Sequence, residues 1–322
     1  MTRFIKASDV GTGGARALAG SYYTSPEVFG AELERIFLDR WLCVGREEQL
    51  PQPGDSLVRT VGAECAVVMR EPSGVLRAHS SGWSGSRILS LARWEGFLFA
   101  SFADTPQPFE ESHAPLMGRL TRFQMPRLRA ARRIDYDVRA NWKLLFENYS
   151  ECYHCPSVHP ALVKLSPAES GENDLTAGPF LGGYMALAPG AGSMTQTGRA
   201  CAIPVADLPD ADLKRVYYYT IFPNFLLSLH PDFVMAHTLW PQSPERTLIE
   251  CEWLFHPEAA SHPGFDPDDG VSFWDKTNRE DWRICELTQQ GVASRAYVPG
   301  PLSPRESISA AFDREVVQAL RA

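Results

Sequence analysis

The segment NWKLLFENYSECYHCPSVHP, residues 141–160, constrains this chain more than any other. Read as one helix, it places Glu147, Asn148, Glu151, His154 and Cys155 at three- and four-residue steps, hence on one face. Trp142, Leu145, Phe146, Tyr149 and Tyr153 fill the other face, which is ordinary core material. Pro156 is expected to end the helix, because its ring and missing N–H do not suit a helix interior. His159 then falls on the following turn. Two histidines across a helix end can point into one pocket, and neutral imidazole is the commonest side-chain ligand for divalent metals.

Three readings stand side by side. The histidines suit hydrogen-bonded packing. Cys152 and Cys155 have the spacing of half a zinc site or of a redox pair. Against both, no second cysteine pair follows, a histidine lies between the two, and the expected helix starts well upstream. The third reading is a two-histidine, one-carboxylate iron site, which requires an acid from elsewhere. FWDKTNREDWRICELT, residues 273–288, offers one. Helical period puts Phe273, Trp274, Thr277, Asp281, Ile284, Cys285 and Thr288 on one stripe, with Glu280 mostly off it. A buried lone carboxylate is costly, so Asp281 needs compensation. A dication held by two histidines would supply it, as would an Arg or backbone partner.

These segments, with the opening YYTSPEVFGAELERIFLDRWLCVGR and the closing SRAYVPGPLSPRE, resemble the catalytic (alpha) subunit of Rieske non-haem iron oxygenases over nearly the whole chain. The resemblance implies that His154, His159 and Asp281 are the ligands of a mononuclear Fe(II). It matches Glu151 to the carboxylate that bridges the iron site to a Rieske cluster on a neighbouring subunit, and Asn148 to the amide beside the iron. It also implies an α+β, helix-grip (SRPBCC/Bet v1-like) domain with a curved antiparallel sheet. The implied activity is O2 or peroxide activation for hydroxylation or demethylation of a small organic substrate. The implied assembly is a homotrimer.

One departure matters. The family's cluster needs a Cys-x-His and a later Cys-x-x-His, yet residues 44–140 hold only Cys65, His79 and His113. No [2Fe-2S] cluster is therefore expected. Ser80–Ser86 contains only Ser and Gly apart from Trp83, the composition of a flexible joint. The cluster-bearing portion reads as cut out and the ends rejoined, with engineering favoured over natural deletion. Trp83 is expected to cover surface left bare. The division that follows is an N-terminal arm and helix over 1–43, a truncated Rieske-domain sheet over 44–104, and the catalytic domain over 105–322. The loss of the cluster removes the reason for a trimer and makes reductase-dependent turnover doubtful. Other readings are a non-catalytic small-molecule or metal-binding helix-grip protein, and an oxygenase served by a separate Rieske protein.

Composition excludes some partners. A net charge of −8 argues against nucleic acid, since phosphate binding needs clustered Lys and Arg. Seven cysteines without framework spacing suggest reduced thiols in a cytoplasmic protein. No apolar run approaches the ~20 residues of a membrane helix.

Local expectations complete the reading. Residues 1–20 form a loose arm, and Thr24 with Glu27 makes a capping box ahead of a helix whose stripe runs to Trp41. Strands are expected at Leu57–Val61, Cys65–Arg70, Val75–His79, Arg87–Ala92, Phe97–Phe102 and Ile134–Arg139. The Gly-rich stretch 167–204 reads as loops, with 188–198 mobile at a pocket mouth. Val216–Pro257 is β, with Leu226, Met235, His237 and Leu239 as candidate cavity linings. His230 and His237 read as polar pocket or packing residues, and His256 as a surface residue.

Overall fold

Short apolar runs bounded by Gly and Pro turns build two antiparallel sheets, and helices from residues 142–321 close over the second. The computed structural model describes residues 3–82, 85–263 and 265–321. The first sheet comprises β1 (Trp41–Arg46), β2 (Ser56–Val61), β3 (Glu64–Arg70), β4 (Leu76–Gly82), β5 (Gly85–Trp94) and β6 (Phe97–Ser101), in the order β1-β6-β5-β4-β3-β2. Trp41, expected on a helix stripe, instead opens β1.

The Ser/Gly segment is a paired hairpin end rather than a loose joint. Ser80, Ser81 and Gly82 oppose Arg87, Ser86 and Gly85 in unbroken register. Ladder hydrogen bonds come from the backbone, so small side chains do not prevent pairing. Trp83, with its expected covering role, lies outside the described residues.

The second sheet holds β7 (Arg129–Val138), β8 (Glu172–Leu175), β9 (Phe180–Ala186), β10 (Arg215–Ile221), β11 (Phe225–Leu229), β12 (Val234–Ser243) and β13 (Arg246–Phe255). Their order is β7-β13-β12-β11-β10-β9-β8. Two of these strands lie where loops are expected. In β9 the glycines permit close backbone approach: a Cβ at Gly183 would sit 2.0 Å from the Glu172 carbonyl oxygen. The segment 188–198 is tied down, with Ser193 donating to Asp232 at 2.5 Å and the Thr197 N–H donating to Asp269 at 3.1 Å. His256 is buried, not at the surface. The register shift at Trp253/Leu254 upsets the alternation that would have turned it outward.

The two sheets share core. The Asn224 side chain exchanges two 3.0 Å hydrogen bonds with the Cys43 backbone on β1, and Phe97 of β6 meets Phe225 of β11 at 4.7 Å. The N-terminal residues are docked rather than loose. Ile5 exchanges backbone hydrogen bonds of 2.8 and 2.7 Å with Asn173, and Ala15 and Ala17 pair with Leu302 and Gly300.

Helix α1 (Pro26–Glu32) is capped by Ser25, which accepts from the Val28 N–H at 3.2 Å; Thr24 instead donates to the Gly20 carbonyl. Pro26 explains the shift, since proline suits the first helical position. The helices that position the site are α2 (Trp142–Tyr149), α3 (Cys155–Val158), α4 (Pro267–Val292) and α5 (Ser307–Arg321). Asn141 caps α2 by accepting from the Lys143 N–H at 3.0 Å. α2 lies among α4, α5 and the second sheet: its Phe146 stacks on Phe312 at 5.0 Å, and Trp142 approaches Phe222 at 6.0 Å. Lys143, fully buried, is compensated by Glu32 at 2.5 Å.

Candidate metal centre

The motif is two helices, not one. α2 stops at Tyr149, where Ser150 turns its hydroxyl back onto the Phe146 carbonyl at 2.6 Å. Glu151 then organises the turn. Its Oε2 accepts the N–H groups of Tyr153 and, at 3.2 Å, His154. Pro156 sits in the first turn of α3, beginning a helix instead of ending one. The break puts Glu147 out of phase with Glu151. Glu147 is buried on the far side, accepting from Tyr23 at 2.8 Å. Burial first, then the neighbouring Asp313 carboxylate, holds its pKa well above the usual range, so its acidic neighbour is Asp313 and not Glu151.

The turn and α4 bring His154, His159 and Asp281 together. His154 Nε2 lies 3.2 Å from His159 Nε2 and 3.2 Å from Asp281 Oδ1. His159 Nε2 lies 2.8 Å from the same oxygen. All the potential donor atoms fall within 4.8 Å of one another. Metal–nitrogen and metal–carboxylate bonds are about 2.1 Å, so neighbouring ligands on one octahedral face stand about 3 Å apart. The observed triangle fits that edge length, and the donor set suits Fe(II).

Each imidazole is aimed by a carboxylate at its other nitrogen. His154 Nδ1 meets Glu151 Oε1 at 2.6 Å, and His159 Nδ1 meets Glu280 Oε2 at 2.8 Å. Such contacts fix tautomer and ring orientation in metal sites. Asn148 Nδ2 lies 3.4 Å from His154 Nε2. Burial pulls the His154 pKa down, but Asp281 and Glu151 outweigh it and lift it to about 10. Burial would raise Asp281, yet the two histidines hold it below the ordinary value. Without metal the cluster is thus balanced by protons, which an incoming dication displaces.

A cavity of about 390 Å³ opens from this triangle. Tyr149, Tyr218 and Trp274 line it, with ring centroids 6.1 and 6.2 Å apart in succession. Lys6 of the docked N-terminus and Arg305 also reach it. Leu226, Met235, His237 and Leu239 do not line it; they are buried in core behind. Nor does 188–198. Its sheet-side walls come from β9, where a loop was expected, and from β10, within the apolar β stretch that was expected to wall a cavity.

Sequence reasoning missed Glu280 as a partner, since helical phase set it off the stripe. The adjacent pair Glu280–Asp281 was the available signal: Asp281 faces the cavity floor while Glu280 reaches the outer edge of His159. Thr288, placed on the stripe, is exposed, while Trp282 and Gln289 are buried in its stead. Cys152 and Cys155, expected as reduced thiols, are joined in a disulfide.

Residues 125–322 match the family described as the ring hydroxylating alpha subunit (catalytic domain). This chain belongs to that family. The family consists of oxidoreductases whose catalytic domain holds a mononuclear non-haem iron, and the triangle fits it. The chain is similar to the glycine betaine monooxygenase oxygenase subunit of Chromohalobacter salexigens, 26% identical, over 90% of this chain and 82% of that protein. The carnitine monooxygenase oxygenase subunit of Acinetobacter baumannii is 28% identical over 44% of this chain and 52% of that protein. Among solved structures, a quaternary ammonium Rieske monooxygenase superposes with a TM-score of 0.80 at 20% identity, covering 97% of each chain. Naphthalene 1,2-dioxygenase from Rhodococcus sp. superposes at 0.74 with 16% identity, covering 94% of each chain. The mixed α/β fold with antiparallel sheets is the one these oxygenases share. No described helix is long and apolar enough to cross a membrane.

Proposed function

We propose that this chain is a mononuclear non-haem Fe(II) oxygenase that hydroxylates or demethylates a small quaternary ammonium compound, with His154, His159 and Asp281 as ligands. The observation that carries the reading is the donor triangle at the floor of an aromatic-lined cavity. The iron supplies O2 or peroxide activation and oxidation of a C–H bond. The chain's own residues do the rest. Glu151 and Glu280 hold the two imidazoles with Nε2 turned inward. Asn148 sets an amide beside His154. Tyr149, fixed by its 2.7 Å hydroxyl contact with Ser228, offers a ring face with Tyr218 and Trp274 to an alkylated ammonium. The substrate names of the relatives, glycine betaine and carnitine, agree with that lining.

The rest of the reading is an α+β helix-grip catalytic domain over 105–322, with a sheet remnant over 44–104 and an N-terminal arm and helix over 1–43. An engineered excision at Ser80–Ser86 belongs to it, supported by composition. So do a cytoplasmic setting, supported by the free and mostly buried remaining thiols, and a weakened family trimer. With no cluster ligand set between residues 44 and 140, electrons must arrive from a separate Rieske protein or with peroxide. The test is anaerobic Fe(II) loading, then glycine betaine, carnitine or choline with hydrogen peroxide, or with O2 and a Rieske donor. Formaldehyde or a hydroxylated product is the expected result. Near-stoichiometric iron without product in either arm would leave a binding protein and sink the oxygenase reading.

A further inference from the structure

The disulfide brackets a ligand. Cys152 and Cys155 enclose only Tyr153 and His154, their Cα atoms 4.9 Å apart. Both cysteines line the cavity that holds the donor triangle. Cys155 Sγ is 3.9 Å from His154 Nε2, the nitrogen that faces His159 and Asp281. The sulfur therefore stands on the ligand side of the imidazole. So short a loop restrains the unfolded chain little, and global stability is a weak reason for the bond. What the bond does is occupy a sulfur that would otherwise be a metal ligand.

We propose that the Cys152–Cys155 disulfide is a redox latch on the metal centre, and that its reduction releases Cys155 as a fourth, thiolate ligand. The proposal rests on the reading of His154, His159 and Asp281 as ligands. A disulfide sulfur is a poor donor, whereas a thiolate binds strongly and favours Zn(II) and other softer metals. Catalytic zinc sites keep a coordination position open, and tetrahedral zinc sites with four protein ligands are closed, so a thiolate added to the three donors would close the site around such a metal. The oxidised chain is then the open form and the reduced chain the closed one. A dithiol reductant balances the step. Its two S–H groups become a disulfide, the Cys152–Cys155 S–S bond breaks, and the two electrons and two protons leave two thiols. On binding metal, Cys155 gives its proton to solvent. The histidine between the cysteines, which argued against a redox pair in sequence, is the group the pair controls.

The test uses the full chain loaded with Co(II), with and without a phosphine reductant, which takes oxygen from one water as it reduces the disulfide. Co(II) ligand-field absorption reports the site, and near-ultraviolet thiolate-to-cobalt charge transfer reports sulfur. The oxidised parent should bind Co(II) without the charge-transfer band, and reduction should bring it up. Cys155→Ser should never show the band, whereas Cys152→Ser should show it without reductant. Thiol counting in denaturant should find five free thiols of the seven cysteines before reduction. Seven free thiols, or retained Co(II) with no band on reduction, would overturn the latch alone. Co(II) binding equally in the parent and in Asp281→Ala would overturn the ligand reading beneath it.

Discussion

Two pairs of histidines in this chain lie turned inward, His154 half-buried and the other three buried, and they behave in opposite ways. His154 and His159 face one another across carboxylates: Asp281 between them, Glu151 and Glu280 behind them. His230 and His237 sit under the second sheet among rings, His230 stacked on Phe233 at 4.0 Å and His237 edge-on to Trp282 at 6.0 Å. No ring nitrogen of the second pair has a partner at good hydrogen-bond geometry among the described residues; the Ser228 backbone beside His230 and Asn278 beside His237 approach too loosely to count. Burial drags His230 down to about 3 and His237 to about 4, while the carboxylates lift His154 to about 10. Desolvation alone makes histidine a neutral packing residue; desolvation among converging acids makes it a ligand.

The hardest test of that contrast is metal content. His154→Ala, His159→Ala and Asp281→Ala should each lose Fe(II) to background while far-ultraviolet circular dichroism stays that of the parent. His237→Leu and His230→Phe should keep the parent's iron. Metal analysis of the five variants beside the parent decides it: equal iron in Asp281→Ala and the parent breaks the comparison.

Removing the carboxylate behind each imidazole sharpens it. Glu151→Gln and Glu280→Gln should weaken Fe(II) binding roughly 10- to 100-fold, the usual effect of losing an orienting partner. Glu147→Gln is the control. It replaces the same carboxyl group at a neighbour in sequence, but one that points at Tyr23 and Asp313, so iron affinity should not move. Titration with Fe(II) against a competing chelator measures all three, and an unchanged Glu151→Gln would reduce Glu151 to a cap for the turn.

How much of this was legible in the sequence depends on what each residue needed. The ligand triad was legible because histidines at 154 and 159 and a mid-stripe Asp281 are costly unless they meet. Five of the six strands of the first sheet were legible from alternation and turns, to within about two residues at most ends; β1 was not, because Trp41 has the spacing of the preceding helix stripe. The motif helix was drawn too long because Glu151 competes for backbone N–H groups in a way period alone does not register. β9 was read as loop because Gly182 and Gly183 carry no side chains, and the reason for them is a neighbouring carbonyl that only the folded chain supplies. Leu226, Met235 and Leu239 were placed on a cavity because an apolar strand lining a pocket and one buried in core have the same composition. His256 failed for a local reason, a register shift invisible to strict alternation.

The smallest effect is the dependence of stability on pH, and its sign separates the pairs. For His230 and His237 the folded pKa values lie below the ordinary 6.5. Above pH 6.5 both states are neutral and these groups contribute nothing. Below it the unfolded chain takes up protons that the folded chain refuses until about pH 3 or 4, so stability falls as the pH drops through that window. One pKa unit is about 1.4 kcal/mol, so each histidine should cost about 2 kcal/mol on going from pH 6.5 to pH 5. For His154 in metal-free protein the folded pKa is raised instead. Its stabilisation is fully present below pH 6.5 and is lost as the pH rises toward about 10. Urea unfolding of the metal-free protein at pH 5, 6.5 and 8.5 reads both. His237→Leu should flatten the acid limb and leave the alkaline limb alone, and His154→Ala should do the reverse. If both variants flattened the same limb, the two pairs would not be electrostatic opposites, and the ligand pair would lose the feature that distinguishes it from core.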